Sequence, residues 1–279
     1  MYTDTGSDTG GTTGIPDGPT RKVDVIKADG TCVRRDRAEV CVESTVELRV
    51  NGAPLVRLAL TRDRLEAFAR GFLVCEGVVP SVDAIESVAV DGGVVDARVP
   101  DLAGPLTGIE LRTSGCPGLA FGLGACREPL PNGYAVELDD LMHAAGLIND
   151  LAQLWRRTGG THCTVIVGPD REVVASAEDM GRHTSVDKAV GTALLAGADL
   201  SSVVLVCTGR LPSGMVGKVY RAGIPVVVSN TAPVLAGIEL ADRLNMTVVG
   251  FARPPRLTVY THPERICLVG TPLTTVATG

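Results

Sequence analysis

The sequence contains few aromatic residues: Phe, Tyr and Trp together account for 3% of its 279 residues. Glycine is abundant, with 33 copies, and alanine and valine fill many apolar positions. A core without large rings must be built mainly from small and β-branched aliphatic side chains. This composition predicts an α/β protein, and the length allows one large domain or two smaller ones.

Long apolar segments are also missing. No apolar run approaches the roughly 20 residues that span a bilayer, and the N-terminus lacks a basic region followed by an apolar segment. We therefore expect a cytoplasmic protein without a membrane partner. The net charge of -6 argues against general binding to nucleic acid.

The eight cysteines include no Cys-x-x-Cys pair. In a chain without a secretory signal we expect them to be reduced thiols, most of them in the core. The missing pair also argues against a zinc deaminase, which needs it together with a His/Cys-x-Glu motif. We accordingly expect no zinc and no other metal site.

The hydrophobic pattern predicts a tail and two domains. Residues 1–20 are rich in Thr, Gly and Asp and predict a disordered tail. Residues 21–135 predict a smaller α+β domain that ends in a Cys-bearing mobile loop over residues 113–133. Residues 136–279 predict the second domain, of α/β class.

In the first domain, Asn51-Gly52 between two strand-like runs predicts a β-hairpin. An amphipathic helix is predicted over residues 62–76, with Thr61 as its cap and Gly77 at its end. In the second domain strands alternate with helices, which predicts crossover units and a mainly parallel sheet. Four loops should then meet at one edge of that sheet: residues 178–185, 208–214, 229–233 and 251–256.

The most charged of these loops carries five ionisable side chains between residues 178 and 187. The simpler interpretation is that Thr184 or Ser185 caps the following helix and that the charges form solvated ion pairs. Their density favours a binding site instead. The candidate pocket residues are Glu178, Asp179, Arg182 and His183, with His183 able to move a proton near neutral pH.

The other three loops are rich in arginine and hydroxyl groups. Arg210, Arg253 and Arg256 near helix N-termini predict a phosphate-binding site. Ser213, which can cap its helix, and Ser229 are further candidates. Cys116 is a candidate nucleophile because the glycines of its loop would let the loop move and expose the thiol. Cys126 lies in the same loop.

Several stretches together resemble the formate dehydrogenase accessory sulfurtransferase (FdhD) family, from about residue 40 to about residue 265. The motif that carries most of the resemblance is Glu178-Asp179-Met180-Gly181-Arg182-His183-Thr184-Ser185-Val186-Asp187-Lys188. The others are Gly209-Arg210 through Lys218, Arg221-Ala222-Gly223-Ile224-Pro225-Val226, Ser229 through Pro233, and Gly250-Phe251-Ala252-Arg253.

The resemblance implies a sulfurtransferase that takes persulfide sulfur from a cysteine desulfurase and passes it to bis-molybdopterin guanine dinucleotide, the cofactor of formate dehydrogenase. It implies a homodimer whose second domain has a cytidine-deaminase-like three-layer fold without zinc. Cys116 falls at the first cysteine of the family's persulfide loop. The cofactor-binding segment falls on Phe251, Ala252, Arg253, Pro254, Pro255 and Arg256.

One position departs from the family pattern. The family usually carries a second cysteine three positions after the first, whereas Cys116 is followed by Pro117-Gly118-Leu119. Transfer through a single persulfide, with Cys126 as a possible second thiol, is one reading. The alternative is a chaperone that binds the molybdenum cofactor without transferring sulfur.

Overall fold

A computed structural model describes residues 18–102, 110–112 and 128–275 of the chain. Residues 1–17 of the predicted tail, and the predicted loop up to residue 127, lie outside the described residues. Both loop cysteines, Cys116 and Cys126, are therefore outside them as well.

Within its described residues, the first part of the chain forms a two-stranded hairpin, a five-stranded sheet and one α-helix. These elements are β1 (Thr20–Asp29), β2 (Cys32–Cys41), β3 (Ser44–Val50), β4 (Ala53–Leu60), α1 (Leu65–Cys75), β5 (Ser87–Asp91), β6 (Val94–Arg98) and β7 (Glu110–Arg112). The larger sheet has the order β5-β6-β3-β4-β7. Apolar residues of α1 pack on it, including Phe68 and Phe72.

The predicted hairpin is confirmed: β3 and β4 pair antiparallel across Asn51 and Gly52. Both turn residues have left-handed φ angles, 53° and 78°, which matches the right-handed twist of the strands. Gly77 ends α1 as expected, with a φ of 72°. Thr61 is not the helix cap, because α1 begins at Leu65 and the Thr61 hydroxyl donates to Asp179 instead, at 2.8 Å.

The second part of the chain adds nine strands and five helices within the described residues. They are β8 (Val136–Glu137), α2 (Leu138–Leu151), α3 (Gln153–Thr158), β9 (His162–Val167), β10 (Val173–Asp179), α4 (Arg182–Leu195), β11 (Val204–Cys207), α5 (Ser213–Arg221), β12 (Val226–Ser229), α6 (Leu235–Arg243), β13 (Thr247–Arg253), β14 (Arg256–Thr261), β15 (Ile266–Leu268) and β16 (Thr271–Pro272). None of the helices in the described part of the chain combines the length and apolarity needed to span a bilayer.

Six of these strands form one sheet with the order β10-β9-β11-β12-β13-β14. Because successive side chains of a strand point to opposite faces, β11 sends Val204 and Val206 into the core shared with α2. It sends Leu205 and Cys207 into the core shared with α4, α5 and α6. The sheet is therefore covered on both faces. The cytidine-deaminase-like assignment of this part stays a prediction.

The expectation of a mainly parallel sheet is wrong, since the sheet is mixed. Only β11–β12 and β12–β13 pair parallel. The other three pairings are antiparallel. One cause is the tight turn between β9 and β10, which reverses the chain. The other is β14, a strand that the sequence analysis missed because its arginine-rich and proline-rich start was interpreted only as a ligand loop.

Helices α1 and α4 cross with their backbones in contact, and this crossing joins the two parts of the chain. A Cβ atom on Gly71 of α1 would lie 1.8 Å from the Asp187 carbonyl oxygen of α4. A Cβ atom on Gly191 of α4 would lie 1.8 Å from the Ala67 carbonyl oxygen of α1. No other residue type fits at either position without separating the helices.

We predict that Gly71→Ala lowers the free energy of unfolding by about 3 kcal/mol or more, because overpacking against backbone forces the helices apart. Urea denaturation measures this. The matched control is Gly146→Ala in α2, where the nearest atom to the new Cβ is Pro254 Cγ at 4.0 Å. That variant should gain up to about 1 kcal/mol from the higher helix propensity of alanine. Equal effects of the two substitutions would contradict the close crossing.

Candidate functional site

Four loops meet at one edge of the six-stranded sheet, as predicted. Strand β9 lies between β10 and β11 and pairs antiparallel with each of them, so β10 and β11 run in the same direction. The parallel pairings extend this direction to β12 and β13. The convergence therefore holds although the sheet is mixed, because it depends on strand direction and not on which strands are neighbours.

The loops form a row along this edge, not a single cup. Neighbouring strands lie about 4.8 Å apart, and β10 and β14 are five steps apart in the sheet order. The two ends of the row are thus about 24 Å apart. Arg253 and Arg256 lie at one end of the row. The other end holds the candidates before and at the start of α4, which are Glu178, Asp179, Arg182 and His183.

A cavity of about 400 Å³ lies in the middle of the row. One wall comes from the α2–α3 region, and the floor comes from the start of β9 and the loops after β11 and β12. Its lining residues are Ile148, Asn149, Ala152, Trp155, Gly159, Gly160, Thr161, His162, Cys163, Met180, Thr208, Asn230 and Thr231. Its size falls within the usual range of small-molecule sites.

Two arginines and a histidine stand together at the β10 end of the row. Burial, and then the nearby charge of Arg210, lowers the pKa of Arg182. Arg182 packs over Gly209, where a Cβ atom would lie 2.7 Å from the Arg182 Cβ. Burial and the Arg182 charge likewise lower the pKa of His162, so this ring is neutral at pH 7. Neighbouring guanidinium groups of this kind favour an anion.

A second pair of arginines stands at the other end. Arg253 and Arg256 face each other directly across the β13–β14 ladder, and both are exposed. Like charges opposite one another are destabilising, so this pair also favours an anion. Next to it, Phe251 has a left-handed φ of 52° and a side chain that is 49% exposed. Its N–H donates to the Thr231 carbonyl at 3.0 Å, which links it to the loop after β12.

The remaining candidates on these loops have positioning contacts. The Ser229 hydroxyl is buried and donates to the Gly209 carbonyl at 2.7 Å, so it ties the loop after β12 to the loop after β11. Ser213 begins α5 but does not cap it, since the N-cap residue is Pro212. Ala252 is buried in the core shared with α2, and Pro254 and Pro255 form the exposed turn before β14.

Asp179 is completely buried and does not face the cavity. It accepts hydrogen bonds from the Thr61 N–H at 3.0 Å and the Thr61 hydroxyl at 2.8 Å. It also accepts from the Gly181 N–H at 2.8 Å and from the Thr184 hydroxyl, and it pairs with the Lys188 ammonium at 2.7 Å. The motif that predicted a ligand pocket thus places this carboxylate in the contact between the two parts of the chain.

Glu178 and His183 are also held within the fold. Glu178 accepts hydrogen bonds from the N–H groups of Leu154 and Trp155, at 2.6 and 2.7 Å, and from the Thr161 hydroxyl at 2.9 Å. It therefore positions α3, which forms a wall of the cavity. His183 is buried in the first turn of α4, and its predicted proton transfer stays a prediction.

A second buried cluster surrounds Lys218. Its ammonium group lies 2.6 Å from Glu76 and 2.8 Å from Asp187. Burial raises the pKa of Asp187 to about 6, although Lys218 opposes this change. Burial alone would lower the pKa of Lys218, but the Asp187 and Glu76 carboxylates outweigh it and raise this pKa.

Three of the cysteines, Cys75, Cys163 and Cys207, are buried core residues, as the sequence predicted. Burial raises the pKa of all three thiols, to about 12 for Cys163 and about 11 for Cys207, so they are neutral at physiological pH. Within the described ranges, no three His, Cys, Asp or Glu side chains cluster closely enough to hold a metal ion.

Several residues that line the cavity were not predicted from the sequence. His162, Trp155 and Met180 were not candidates. Neither Thr208 nor Asn230 was singled out, although both belong to loops that were. The position of Thr208 and Asn230, directly after strands whose ends meet at one edge of the sheet, was a usable signal.

Comparison with known proteins gives one consistent result. The model of the FdhD/NarQ family matches residues 41–267. A relative named sulfur carrier protein FdhD, from Methanothermobacter thermautotrophicus, is 35% identical over 252 residues, which is 88% of this chain and 98% of the relative. A protein of the same name from Anaeromyxobacter dehalogenans is 33% identical and covers 84% of this chain and 90% of its own length.

A solved structure also shares the fold. It is provisionally described as a formate dehydrogenase accessory protein from Desulfotalea psychrophila. It superimposes with a TM-score of 0.73 at 24% sequence identity, over 89% of this chain and 99% of its own. At this identity the likeness establishes the mixed α/β fold alone.

The buried cluster around Lys218 predicts a pH dependence of stability. The Asp187 pKa is raised in the folded state, so folding favours the protonated form and stability falls as the pH rises from about 4 to about 6. Asp187→Asn should remove about 1–3 kcal/mol of this fall. Urea denaturation at several pH values, compared between wild type and variant, measures it.

The control is Asp170→Asn in the exposed turn before β10, which should reproduce the wild-type pH dependence. Parallel stability curves for wild type and Asp187→Asn between pH 4 and 6 would contradict the buried, partly protonated carboxylate.

Proposed function

Since the chain belongs to the FdhD/NarQ family, we propose that it is a sulfur carrier for formate dehydrogenase. It accepts sulfur from a cysteine desulfurase as a persulfide and delivers it to bis-molybdopterin guanine dinucleotide, which is its substrate. The observation that carries this proposal is the row of two arginine pairs on either side of one cavity at a single sheet edge.

The row suits an elongated substrate with phosphates in each of two arms. Arg182 and Arg210 bind phosphate oxygens at one end, and Arg253 and Arg256 bind them at the other. Guanidinium groups bind phosphates through charge-assisted and often paired hydrogen bonds. A ligand with two nucleotide arms satisfies both pairs at once.

Cys116 is the sulfur-carrying residue in this proposal. Its thiolate attacks the terminal sulfur of the desulfurase persulfide, a new S–S bond forms to Cys116, and the desulfurase cysteine leaves as a thiolate. No oxidant or reductant is consumed in this exchange. Cys126 is available as a second thiol, whereas the three buried cysteines are neutral.

The end of β7 supports this role for Cys116. Arg112 at the end of β7 pairs with Leu58 of β4, and three residues after Leu58 the chain reaches Thr61, which binds Asp179 beside α4. Cys116 follows Arg112 by four residues, a reach of at most about 14 Å. The chain therefore enters the cysteine segment on the side of the N-terminal sheet that abuts the β10–α4 junction.

A second candidate function is a chaperone that binds the cofactor without transferring sulfur. The absence of a cysteine at Leu119 favours it, because a relay between two neighbouring thiols is then impossible. Both candidates operate as a cytoplasmic homodimer, and they differ only in whether Cys116 carries sulfur.

We predict that incubation with a cysteine desulfurase and ³⁵S-cysteine labels the wild-type protein at Cys116. Cys116→Ala should lose the label, whereas Cys126→Ala should retain most of it. GDP binding should be unchanged in both variants, because the proposal assigns the phosphates to guanidinium groups and not to a thiol. If the wild-type peptide that contains Cys116 carries no label, the chaperone function is favoured. Full labelling of the Cys116→Ala variant would exclude Cys116 as the sulfur-carrying residue.

A second prediction concerns the arginines. Arg210→Gln and Arg253→Gln should each weaken GDP binding at the arginine pair that carries the substitution by about 10-fold, the usual loss for a hydrogen bond to a charged group, and high salt should reduce the difference. Isothermal titration calorimetry measures both. The control is Arg243→Gln. This exposed arginine lies at the C-terminal end of α6, whereas the N-terminus of α6 faces the loop edge, so Arg243 is on the far side from the proposed site. A loss in the control as large as in the other two would indicate nonspecific attraction.

A further inference from the structure

Strands β1 and β2 form an arm, residues 20–41, in which every residue is exposed or half-buried. An isolated two-stranded hairpin is at best marginally stable in water, and it needs a further strand, a helix or a partner to cover it. Each strand of the arm has ten residues, a length of about 33 Å. The arm therefore presents a long surface that its own chain leaves uncovered among the described residues.

One face of the arm is covered at its base and bare near its tip. The Cys41 Sγ atom lies 3.1 Å from the Thr158 Oγ1 atom of α3, so α3 packs on this face at the base. In the antiparallel register Ile26 and Val33 point to the same face, nearer the tip. Their side chains are 63% and 66% exposed. The tip of the arm thus offers an apolar patch to a partner.

The arm is basic although the chain is acidic. It carries six arginine or lysine residues and four aspartate or glutamate residues, which give it a net charge of +2. Because the whole chain has a net charge of -6, the residues outside the arm carry -8. The arm therefore attracts an acidic partner, and the body of a second copy of this chain is acidic.

A surface of complementary charge lies at the edge of the six-stranded sheet opposite the four loops. This acidic patch consists of the start of α2 and the turn between β9 and β10. Arg171 in the turn binds Asp139 and Asp140 of α2 at 2.6 and 2.5 Å, which joins the two segments into one surface. The carboxylates of the patch are those of Glu137, Asp139, Asp140, Asp170 and Glu172.

Two exposed apolar side chains stand beside the acidic patch. The Gly270 N–H donates to Glu137 at 3.0 Å, which places the preceding Leu268 and Val269 next to the carboxylates. Val269 is 90% exposed and has a left-handed φ of 51°, a strained conformation for a β-branched residue. A side chain that is both strained and exposed adds little to the stability of its own chain, so it is better explained by a contact outside that chain.

We propose that the arm of one copy docks on the acidic patch of a second copy, and that the reciprocal contact closes a two-fold dimer. Ile26 and Val33 then pack against Leu268 and Val269, and the arginines of the arm face the carboxylates. Since each copy carries one arm and one patch, the two contacts satisfy each other and association stops at two copies. This inference rests on the homodimer of the proposed function, for which it names the contact surfaces.

The first test replaces the apolar side chains of the arm. Ile26→Ser combined with Val33→Ser should raise the dimer Kd at least about 10-fold, which sedimentation velocity measures. Neither residue is buried in the single chain, so circular dichroism should show an unchanged fold. The control is Leu195→Ser, because this side chain is 49% exposed and belongs to neither surface. Its Kd should equal that of wild type.

The second test exchanges charges between the two surfaces. Arg35 pairs with Ile26 across the arm and shares its face, and Asp170 is exposed in the acidic patch. Arg35→Glu and Asp170→Lys should each raise the Kd about 5-fold or more, whereas the combined variant should recover most of the loss. High salt should weaken the wild-type dimer, because it screens the attraction.

The third test separates a contact from a structural role. Asparagine tolerates the left-handed conformation better than valine does, so Val269→Asn should leave the single chain at least as stable as wild type. Its dimer Kd should nevertheless rise. Urea denaturation at a protein concentration where both proteins are monomeric measures the stability. A purely structural role for Val269 would lower the stability and leave the Kd unchanged.

The inference is overturned if the wild-type protein is monomeric, if the arm variant dimerises like wild type, or if the combined charge variant fails to recover. A monomeric wild type that still carries ³⁵S on Cys116 would overturn the contact surfaces and leave sulfur transfer intact. Failure of the proposed function is a different result, namely the absence of ³⁵S on Cys116 in a protein whose dimer is weakened by the arm variant.

Discussion

The crossing of α1 and α4 holds the two parts of the chain together and fixes the β10–α4 loop at one end of the sheet edge. Two buried lysines flank it, and each bridges the two parts of the chain: Lys188 binds Asp63 from the first part and Asp179 from the second. Lys218 binds Glu76 and Asp187 in the same way. Separating the two parts would break the Lys188–Asp63 and Lys218–Glu76 pairs and leave each lysine with its second-part carboxylate alone. The crossing is therefore both sterically and electrostatically specific.

This constraint explains why the carboxylates of the most charged motif in the sequence lie at the loop edge without facing the cavity. Asp179 fixes the turn between β10 and α4 through its bonds to Gly181 and Thr184. The residues beside it, Met180 and Arg182, are thereby placed at the cavity and at the arginine pair. The carboxylates of the motif thus hold the turn, whereas Met180 and Arg182 of the same motif face the candidate site.

Local patterns predicted the local structure well. Asn51-Gly52 specified a hairpin, and Gly77 ended a helix, because each depends on backbone conformations that few residues adopt. The convergence of four loops was also predictable, since it follows from strand direction. The partners of the charged side chains were not. Asp179 meets Thr61, which is 118 residues away, and charge density in a sequence is the same whether the charges face a ligand or one another. The cysteine loop lies outside the described residues, so its role stays a prediction.

The spacing of the arginines restricts the ligand more than their number does. Arg182 and Arg253 lie on loops of strands four steps apart, about 19 Å, whereas a hydrogen bond to phosphate spans about 3 Å. One phosphate group cannot satisfy both pairs, and at physiological salt two charges at this distance are largely screened from each other. In the proposed function each arginine pair therefore holds its own phosphate group, with the cavity between them. Such an arrangement fits a ligand with a ring system flanked by phosphates, and it disfavours a small single anion.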